Sequence, residues 1–265
     1  MTSQSTVFDE QRYVVARRDW GAAFAALRKL MANKDDTEQV FLIMDALNAD
    51  EEVRCFRKLT STMKGGAIAY RRVELAERLM DRDWLNCFAP DTVGGAYRQF
   101  LDATGYSAQG LADISKVGAS QVDAEHPFAW MGRRSRDVHD LWHVLTGYKA
   151  DEHLGEAALV AFSFAQLGGW GWGAIALATW FETLSAGWSN AQGKAIREGY
   201  RLGKKAAWLM GEDYEQVLGE RIVDARRRLN IGAPLAYLAI PAEVRAASLG
   251  RQPATDHQVG VLHSA

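Results

Sequence analysis

The sequence predicts an all-α protein, and three observations support that prediction. Apolar residues recur every three or four positions through most of the 265-residue chain, which is the period of a helix that buries one face. No segment alternates apolar and polar residues for long enough to predict a β-strand. Only five prolines occur, so little interrupts long helices. We predict one multi-helix domain over residues 18–245, after a loosely ordered N-terminus at 1–17 and before a disordered tail at 246–265.

The individual helices follow from their apolar stripes and their end signals. Asp19 is a suitable N-cap for the first helix, and Lys64-Gly65-Gly66 predicts a turn. Ser135 is a suitable N-cap, and Gly147 a suitable end, for a helix that contains two histidines. The predicted helices cover residues 19–31, 36–47, 50–63, 71–80, 107–114, 135–147, 156–167, 173–187, 190–210 and 214–229.

Composition excludes several classes of protein. Hydrophobic residues make up 48% and charged residues 24%, which is typical of a globular protein. The formal net charge of −2 argues against nucleic acid as the main partner. Two cysteines, Cys55 and Cys87, do not form a disulfide framework and fit a reducing, cytoplasmic compartment. Residues 1–5 lack the pattern of a secretory signal.

The candidate site lies in the helix near residue 140. His139 and His143 are four residues apart, so a helix places both imidazoles on one face, as in enzymes where one helix offers two ligands to a metal ion. Asp140 could add a ligand, orient an imidazole or act as a base, and Glu156 is the natural fourth ligand. The same histidine spacing also occurs without any metal, where a buried imidazole simply finds a hydrogen-bond partner. The spacing alone leaves both readings open.

The segment after this helix is unusually apolar. Residues 157–181 contain no charged side chain, and this segment is long enough to span a bilayer. However, it is interrupted by Gly168, Gly169, Gly171 and Gly173. We predict two helices joined by a glycine-rich turn. They are either ordinary core helices or the walls of an apolar lipid-binding cavity. For the cavity, the candidate lipid-binding residues are Phe162, Gln166, Trp170, Trp172 and Trp180, with Trp188 as a further apolar wall.

A basic stripe follows on the next predicted helix. Its members are spaced for one helical face: Lys194, Arg197, Arg201, Lys204 and Lys205. Such a stripe is usually a solvated face. Beside an apolar cavity it could also meet anionic lipid head groups, or a phosphate or carboxylate of a substrate.

The chain resembles the Coq-four family of ubiquinone (coenzyme Q) biosynthesis proteins, in its bacterial branch, over most of residues 18–240. The resemblance rests on His139-Asp140-x-x-His143 followed by Leu154-Gly155-Glu156, on Asp36-Thr37-Glu38-Gln39-Val40-Phe41, and on Gly65-Gly66-x-Ile68-Ala69. One spacing departs from the family pattern. Twelve residues, not eleven, separate His143 from Glu156, so Glu152 is the alternative to Glu156 as the acidic ligand, and His153 is expected to be exposed.

The resemblance implies an all-α protein with a divalent metal, usually taken as zinc, with iron or another metal as alternatives. The implied ligands are His139, Asp140, His143 and Glu156. The implied activity acts on a polyprenylated 4-hydroxybenzoate-derived ring, whose carboxyl group is replaced by a hydroxyl group. Asp140 is the candidate catalytic residue. The family also implies other ubiquinone biosynthesis proteins as partners and a cytoplasmic location at the inner membrane; a homodimer is compatible with the sequence.

Two other hypotheses compete with a decarboxylase. A non-catalytic scaffold could bind prenylated intermediates and organise the other biosynthesis enzymes, in which case the histidine motif would be dispensable. A phosphoester hydrolase with a His-Asp doublet would need further histidine ligands. Outside the motif, only His126 and His153 precede the predicted tail, which counts against the hydrolase.

Overall fold

A computed structural model describes residues 18–33, 36–47, 50–105, 125–184 and 190–247. Within these ranges the chain forms sixteen α-helices, a short 3-10 helix at Leu209–Gly211 and no β-strand, which confirms the all-α prediction. The lipid-binding cavity stays a prediction. Residues 1–17, the predicted helix at 107–114, Trp188 and the tail from residue 248 onward lie outside the described residues.

The helices are α1 (Trp20–Ala32), α2 (Thr37–Leu47), α3 (Glu51–Thr60), α4 (Met63–Arg71), α5 (Leu75–Met80), α6 (Arg82–Asn86), α7 (Val93–Thr104), α8 (Pro127–Asp137), α9 (His139–Thr146), α10 (His153–Leu167), α11 (Trp170–Thr183), α12 (Ala191–Lys205), α13 (Tyr214–Val217), α14 (Ile222–Arg228), α15 (Leu235–Leu238) and α16 (Ala242–Ala246).

Helices α10 and α12 form the most extensive helix contact of the described fold. Their backbones approach closely because α12 presents glycines to α10. A Cβ atom added to Gly199 would lie 2.3 Å from the Ala158 carbonyl oxygen, and one added to Gly203 would lie 2.6 Å from that of Phe162. Both distances are shorter than real Cβ contacts, so only glycine permits this crossing. The crossing fixes α10, the helix that begins beside the candidate site.

The uncharged segment folds as two helices, as predicted. Helix α10 ends at Leu167, Gly168 adopts a left-handed conformation with φ of 70°, and Gly169 is the N-cap of α11. Glycine favours this conformation because it has no Cβ. Of the helices that the structure describes, not one is both long and apolar enough to cross a membrane.

The turn predicted at residues 64–66 is wrong. These residues lie in the first turn of α4, where the Thr62 side chain accepts a hydrogen bond from the Gly65 N–H at 3.0 Å. A Cβ on Gly65 would lie 1.9 Å from the Leu59 carbonyl oxygen. This glycine therefore permits close packing of two helices instead of breaking one.

The single helix predicted at 214–229 is also wrong, because the structure divides it into α13 and α14. The residues between them pair with the start of α7. The Val93 N–H donates to the Glu220 carbonyl at 2.9 Å, and the Gly94 N–H donates to the Leu218 carbonyl at 2.8 Å. These long-range hydrogen bonds replace the intrahelical ones, so helical propensity alone does not decide this segment.

Candidate metal centre

Helix α9 presents two imidazoles on one side. His139 and His143 lie one turn apart, with their ring centroids separated by 4.8 Å. The helix ends at Gly147, which has a left-handed φ of 82°, as its sequence predicts. Its start differs from the prediction, because Ser135 lies inside α8 and only Val138 separates α8 from α9. The two helices are therefore nearly continuous, and α8 supports the start of α9, where His139 lies.

Glu156, in the first turn of α10, completes a three-residue cluster. Its Oε1 lies 3.1 Å from His143 Nε2, and its Oε2 lies 3.9 Å from His139 Nε2. One ligand atom from each residue lies within 4.8 Å of the others. A tetrahedral zinc ion with bonds of about 2.1 Å requires ligand atoms about 3.4 Å apart, and the two measured distances bracket that value. Three protein ligands would leave one position open for a substrate.

The environment of His143 allows its Nε2 either to bind a cation or, in the protonated ring, to pair with Glu156. Its Nδ1 lies 2.8 Å from the Tyr148 carbonyl oxygen, which can only accept, so Nδ1 carries the proton. In the neutral imidazole, Nε2 then presents a lone pair. That atom is buried and has no hydrogen-bond partner among the described residues. The nearest Glu156 oxygen, 3.1 Å away, is an acceptor, so it can share a proton with Nε2 only when the ring is protonated. A cation between the two would satisfy both.

The charges at the site reinforce one another. Burial acts to lower the pKa of His143, but the Glu156 carboxylate and then Asp140 outweigh it, so the pKa is raised. Burial acts to raise the pKa of Glu156, but the charge of His143 and then of His139 outweighs it, so the pKa is lowered. Glu156 is therefore a carboxylate at neutral pH. Without a cation, the His143 imidazole would serve as its positive partner.

Asp140 lies beside the cluster and not within it. Its Oδ1 is 3.5 Å from His139 Nδ1, on the ring atom that faces away from Glu156. A carboxylate on the second nitrogen of a ligating histidine fixes the ring orientation and its tautomer. Among the three roles that the sequence leaves open for Asp140, this geometry favours orientation of His139.

Glu152, the alternative acidic ligand, has a different set of partners. Its side chain is buried, and it accepts a hydrogen bond from Arg245 Nε at 2.6 Å and another from the Tyr237 hydroxyl. The structure therefore places Glu156, and not Glu152, with the histidines. His153, expected to be exposed, is half-buried.

The five candidate lipid-binding residues lie in different environments. Phe162 is fully buried, with its ring 5.9 Å from that of Trp142. Gln166 links three elements: its Nε2 donates to the Gly203 carbonyl at 2.7 Å, and its Oε1 accepts from the Leu209 N–H at 2.9 Å. Both therefore have structural partners in the described fold.

The three tryptophans of α11 lie nearer the surface. Trp170 is exposed, whereas Trp172 and Trp180 are half-buried. The Trp172 Nε1–H donates to Glu51 at 3.1 Å. The Trp180 Nε1 is buried without a hydrogen-bond partner among the described residues. Their part in lipid binding stays a prediction.

The sequence did not predict the groups that support the ligand residues from outside the cluster. The Tyr148 carbonyl acts through the main chain, so its role has no signal in residue type. Tyr237 and Arg245 contact the loop before α10 from nearly a hundred residues further along the chain. Only the fold brings them there.

The fold and the site together define an all-helical protein with a His/His/Glu cluster suited to a divalent cation. Residues 22–234 match the family described as coenzyme Q (ubiquinone) biosynthesis protein Coq4. The chain belongs to that family, which takes part in ubiquinone biosynthesis. This confirms the resemblance that the histidine motif indicates.

Individual relatives agree with this assignment. The chain is 29% identical over 115 residues to the mitochondrial ubiquinone biosynthesis protein COQ4 of Meyerozyma guilliermondii, covering 43% of this chain and 34% of that one. It is 27% identical over 176 residues to the corresponding protein of Neurospora crassa, covering 64% and 47%. The matches thus span half or less of these two relatives.

A solved structure shows the same fold. It is the crystal structure of a Nostoc punctiforme protein described as a candidate ubiquinone biosynthesis protein. The similarity has a TM-score of 0.57 at 19% identity and covers 82% of this chain and all of the other. At this identity the comparison supports the fold alone.

Proposed function

We propose that this protein replaces the carboxyl group of a polyprenylated 4-hydroxybenzoate-derived ring with a hydroxyl group, using a divalent metal ion. The observation that supports the proposal is the cluster of His139, His143 and Glu156, in which the buried His143 Nε2 faces a carboxylate oxygen at 3.1 Å. A site of this kind, with one position left open, suits an anionic substrate group. Membership of a ubiquinone biosynthesis family supports a substrate from that pathway.

Each residue has a specific task in this proposal. His139, His143 and Glu156 would hold the ion, most simply Zn²⁺, with iron or another divalent metal as the alternative. When bound, the ion supplies positive charge that holds the ring carboxylate and lowers the pKa of the para phenol. Asp140, whose Oδ1 lies 3.5 Å from His139 Nδ1, would favour the proton at that nitrogen and so leave Nε2 available as a ligand. The Tyr148 carbonyl does the same for His143.

The reaction balances with dioxygen as the two-electron acceptor. The bond between the ring and its carboxyl carbon breaks, CO₂ leaves, and a carbon–oxygen bond forms at the same ring position. The acid, O₂ and one water give the phenol, CO₂ and hydrogen peroxide. A phenolate para to the carboxyl group supplies the electrons, because its charge is delocalised onto the carbon that is attacked. Zinc does not change its oxidation state, so with zinc the substrate is the electron donor.

The direct test is reconstitution with a metal. Purified protein is stripped with a chelator, reloaded with Zn²⁺ or Fe²⁺, and mixed in air with a short-chain prenylated 4-hydroxybenzoate. We expect CO₂ and the hydroxylated ring to appear in equal amounts, to disappear on stripping and to return on reloading. Equal turnover by the stripped protein would contradict the proposal. Tight binding of the ring without turnover by any metal form would favour the scaffold hypothesis instead.

We further propose that the protein meets an anionic membrane surface through α1, α11 and α12. Five apolar side chains of α1 and α11 are more than half exposed: Trp20, Phe24, Trp170, Leu177 and Phe181. The rings of Trp20 and Trp170 are 5.8 Å apart, so the two helices form one apolar patch. A membrane interface accepts such side chains, and a prenylated substrate resides there.

Positive charge lies next to this patch, on α12. The basic stripe predicted from the sequence is exposed, and none of its members forms an ion pair with a described carboxylate: Lys194, Arg197, Arg201, Lys204 and Lys205. Arg197 lies 6.0 Å from the Trp180 ring, which joins the basic stripe to α11. Exposed apolar and basic groups side by side complement anionic head groups.

Vesicle sedimentation tests this surface. We expect the protein to bind vesicles that contain phosphatidylglycerol, and the double substitution Phe24→Ser and Phe181→Ser to weaken binding at least about tenfold, since each ring contributes on the order of 1 kcal/mol or more when buried in lipid. Tyr70→Ser, which changes an exposed aromatic on α4, is the matched control. Unchanged vesicle binding by the double variant would contradict the proposal, and a loss of dimerisation instead would assign the patch to a second copy.

A further inference from the structure

The loop between α9 and α10 connects the two halves of the candidate metal centre. This α9–α10 loop, residues 147–152, follows the helix that carries His143 and precedes the helix that carries Glu156. It also provides the Tyr148 carbonyl that fixes the His143 ring. Its conformation therefore decides where both ligands lie.

Helices α15 and α16 hold this loop through two side chains. The Lys149 N–H donates to the Tyr237 hydroxyl at 3.2 Å, and that hydroxyl donates to Glu152 Oε2. Arg245 donates to both oxygens of Glu152, from Nε at 2.6 Å and from Nη2 at 3.2 Å. Tyr237 thus contacts the loop at two points, Lys149 and Glu152.

All of these groups are buried. Glu152, Tyr237 and Arg245 each expose less than a tenth of their surface. The rings of Tyr148 and Tyr237 are in edge contact at 5.1 Å. Tyr148, whose carbonyl accepts from His143, therefore also packs against Tyr237. Burial in a low-dielectric environment makes these hydrogen bonds directional and costly to lose.

Further contacts fix the positions of Tyr237 and Glu152. Glu198 of α12 accepts hydrogen bonds from the backbone N–H groups of Ala236 and Tyr237, so the position of Tyr237 is fixed by a third element. The Glu152 carbonyl accepts from the Glu156 N–H at 3.0 Å. Glu152 is therefore one helical turn before the ligand and in direct backbone contact with it.

We propose that Tyr237 and Arg245 are positioning residues for the metal centre. They do not touch the ligand atoms. They act through Glu152, Lys149 and Tyr148, and so set the separation between His143 Nε2 and the Glu156 carboxylate. The inference rests on the proposed function, since it assigns these residues a task toward the ion of that site.

Metal affinity tests the inference without any turnover assay. Tyr237→Phe removes one hydroxyl and leaves the ring in place. We expect Zn²⁺ to bind about tenfold more weakly, in competition with a chromophoric chelator, because groups behind the ligands have effects of this size. We also expect the visible spectrum of the Co²⁺ form to change, which shows altered coordination and not merely reduced stability. Arg245→Lys, which keeps the charge but loses the two-point contact, is the second variant.

Tyr214→Phe is the matched control. Its hydroxyl is buried and accepts from Trp142 Nε1 of α9 at 2.6 Å, so its loss removes a buried hydrogen bond of similar character and leaves the contacts of Tyr237 and Arg245 with the α9–α10 loop in place. The proposal is overturned if folded Tyr237→Phe and Arg245→Lys keep the wild-type Zn²⁺ affinity and Co²⁺ spectrum, or if the control changes both equally. If wild-type protein binds Zn²⁺ no better than His143→Ala does, it is the metal centre of the proposed function that fails.

Discussion

Replacing His143 with alanine is expected to abolish decarboxylation and to lower metal affinity by more than the roughly 10–100-fold that loss of a group behind a ligand costs, because one of the three ligand side chains is lost. The same substitution leaves Glu156 with the His139 imidazole at a distance of 3.9 Å. The measurement is metal content after dialysis, combined with turnover of the prenylated acid. Since His143 is buried, circular dichroism is needed to show that the variant is folded.

Two further variants make this result specific. His139→Ala removes the other imidazole, which is half-buried and so costs the fold less, and it should have a comparable effect on metal content. His126→Asn is the control: this histidine caps α8 by accepting from the Phe128 N–H at 3.2 Å, and asparagine is a good replacement at an N-cap. Wild-type turnover by folded His143→Ala would rule out a metal-dependent reaction at this site.

The histidine pair was predictable from sequence because its geometry is local. Spacing of four residues in a helix decides that His139 and His143 share a face, whatever the rest of the chain does. Glu156 was also a candidate from its place before the apolar helix, but the departure from the family spacing left Glu152 as the alternative. What separates the two is the partner of Glu152, Arg245, which lies 93 residues away in the sequence.

The two errors in the predicted helices share one physical origin, which is a contact with another segment of the chain. Gly65 breaks a helix by intrinsic propensity, yet here it is needed inside one, because the Leu59 carbonyl leaves no space for a side chain. Residues 218–221 form hydrogen bonds with the start of α7, which competes with continuation of the helix. In the first case a contact with the preceding helix, and in the second a contact distant in sequence, outweighs a local preference of about 1 kcal/mol. Local signals therefore predicted the fold class and the ligand spacing, but not these tertiary adjustments.

The second prediction with a large expected effect concerns Glu51 and the stability of the fold. Its side chain is buried at the start of α3, where Oε1 accepts from Trp172 Nε1 and Oε2 has no partner among the described residues. Burial, and then the neighbouring charge of Glu52, raises the pKa of Glu51 to about 8. At neutral pH the folded protein therefore holds a protonated carboxyl group at this position.

The sign of the pH dependence follows from proton binding. Between the ordinary glutamate pKa and about 8, the folded state binds a proton at Glu51 that the unfolded state has lost, so stability falls as the pH rises through this range. Glu51→Gln keeps the acceptor for Trp172 and cannot ionise. Relative to wild type, the variant should be near neutral at pH 5 and more stable by roughly 3–5 kcal/mol at pH 9, because burial raises the pKa of Glu51 to about 8.

Urea denaturation of the metal-free protein at both pH values measures this difference, with Glu77→Gln on the exposed face of α5 as the control for loss of a carboxylate. Parallel stability curves for wild type and Glu51→Gln would show that Glu51 ionises freely in the fold. The expected divergence has a functional consequence, because Trp172 belongs to α11, the helix proposed to meet the membrane. Loss of the Glu51 proton would convert a neutral contact between α3 and α11 into a buried charge. The attachment of that helix is therefore expected to weaken at alkaline pH in wild type but not in Glu51→Gln.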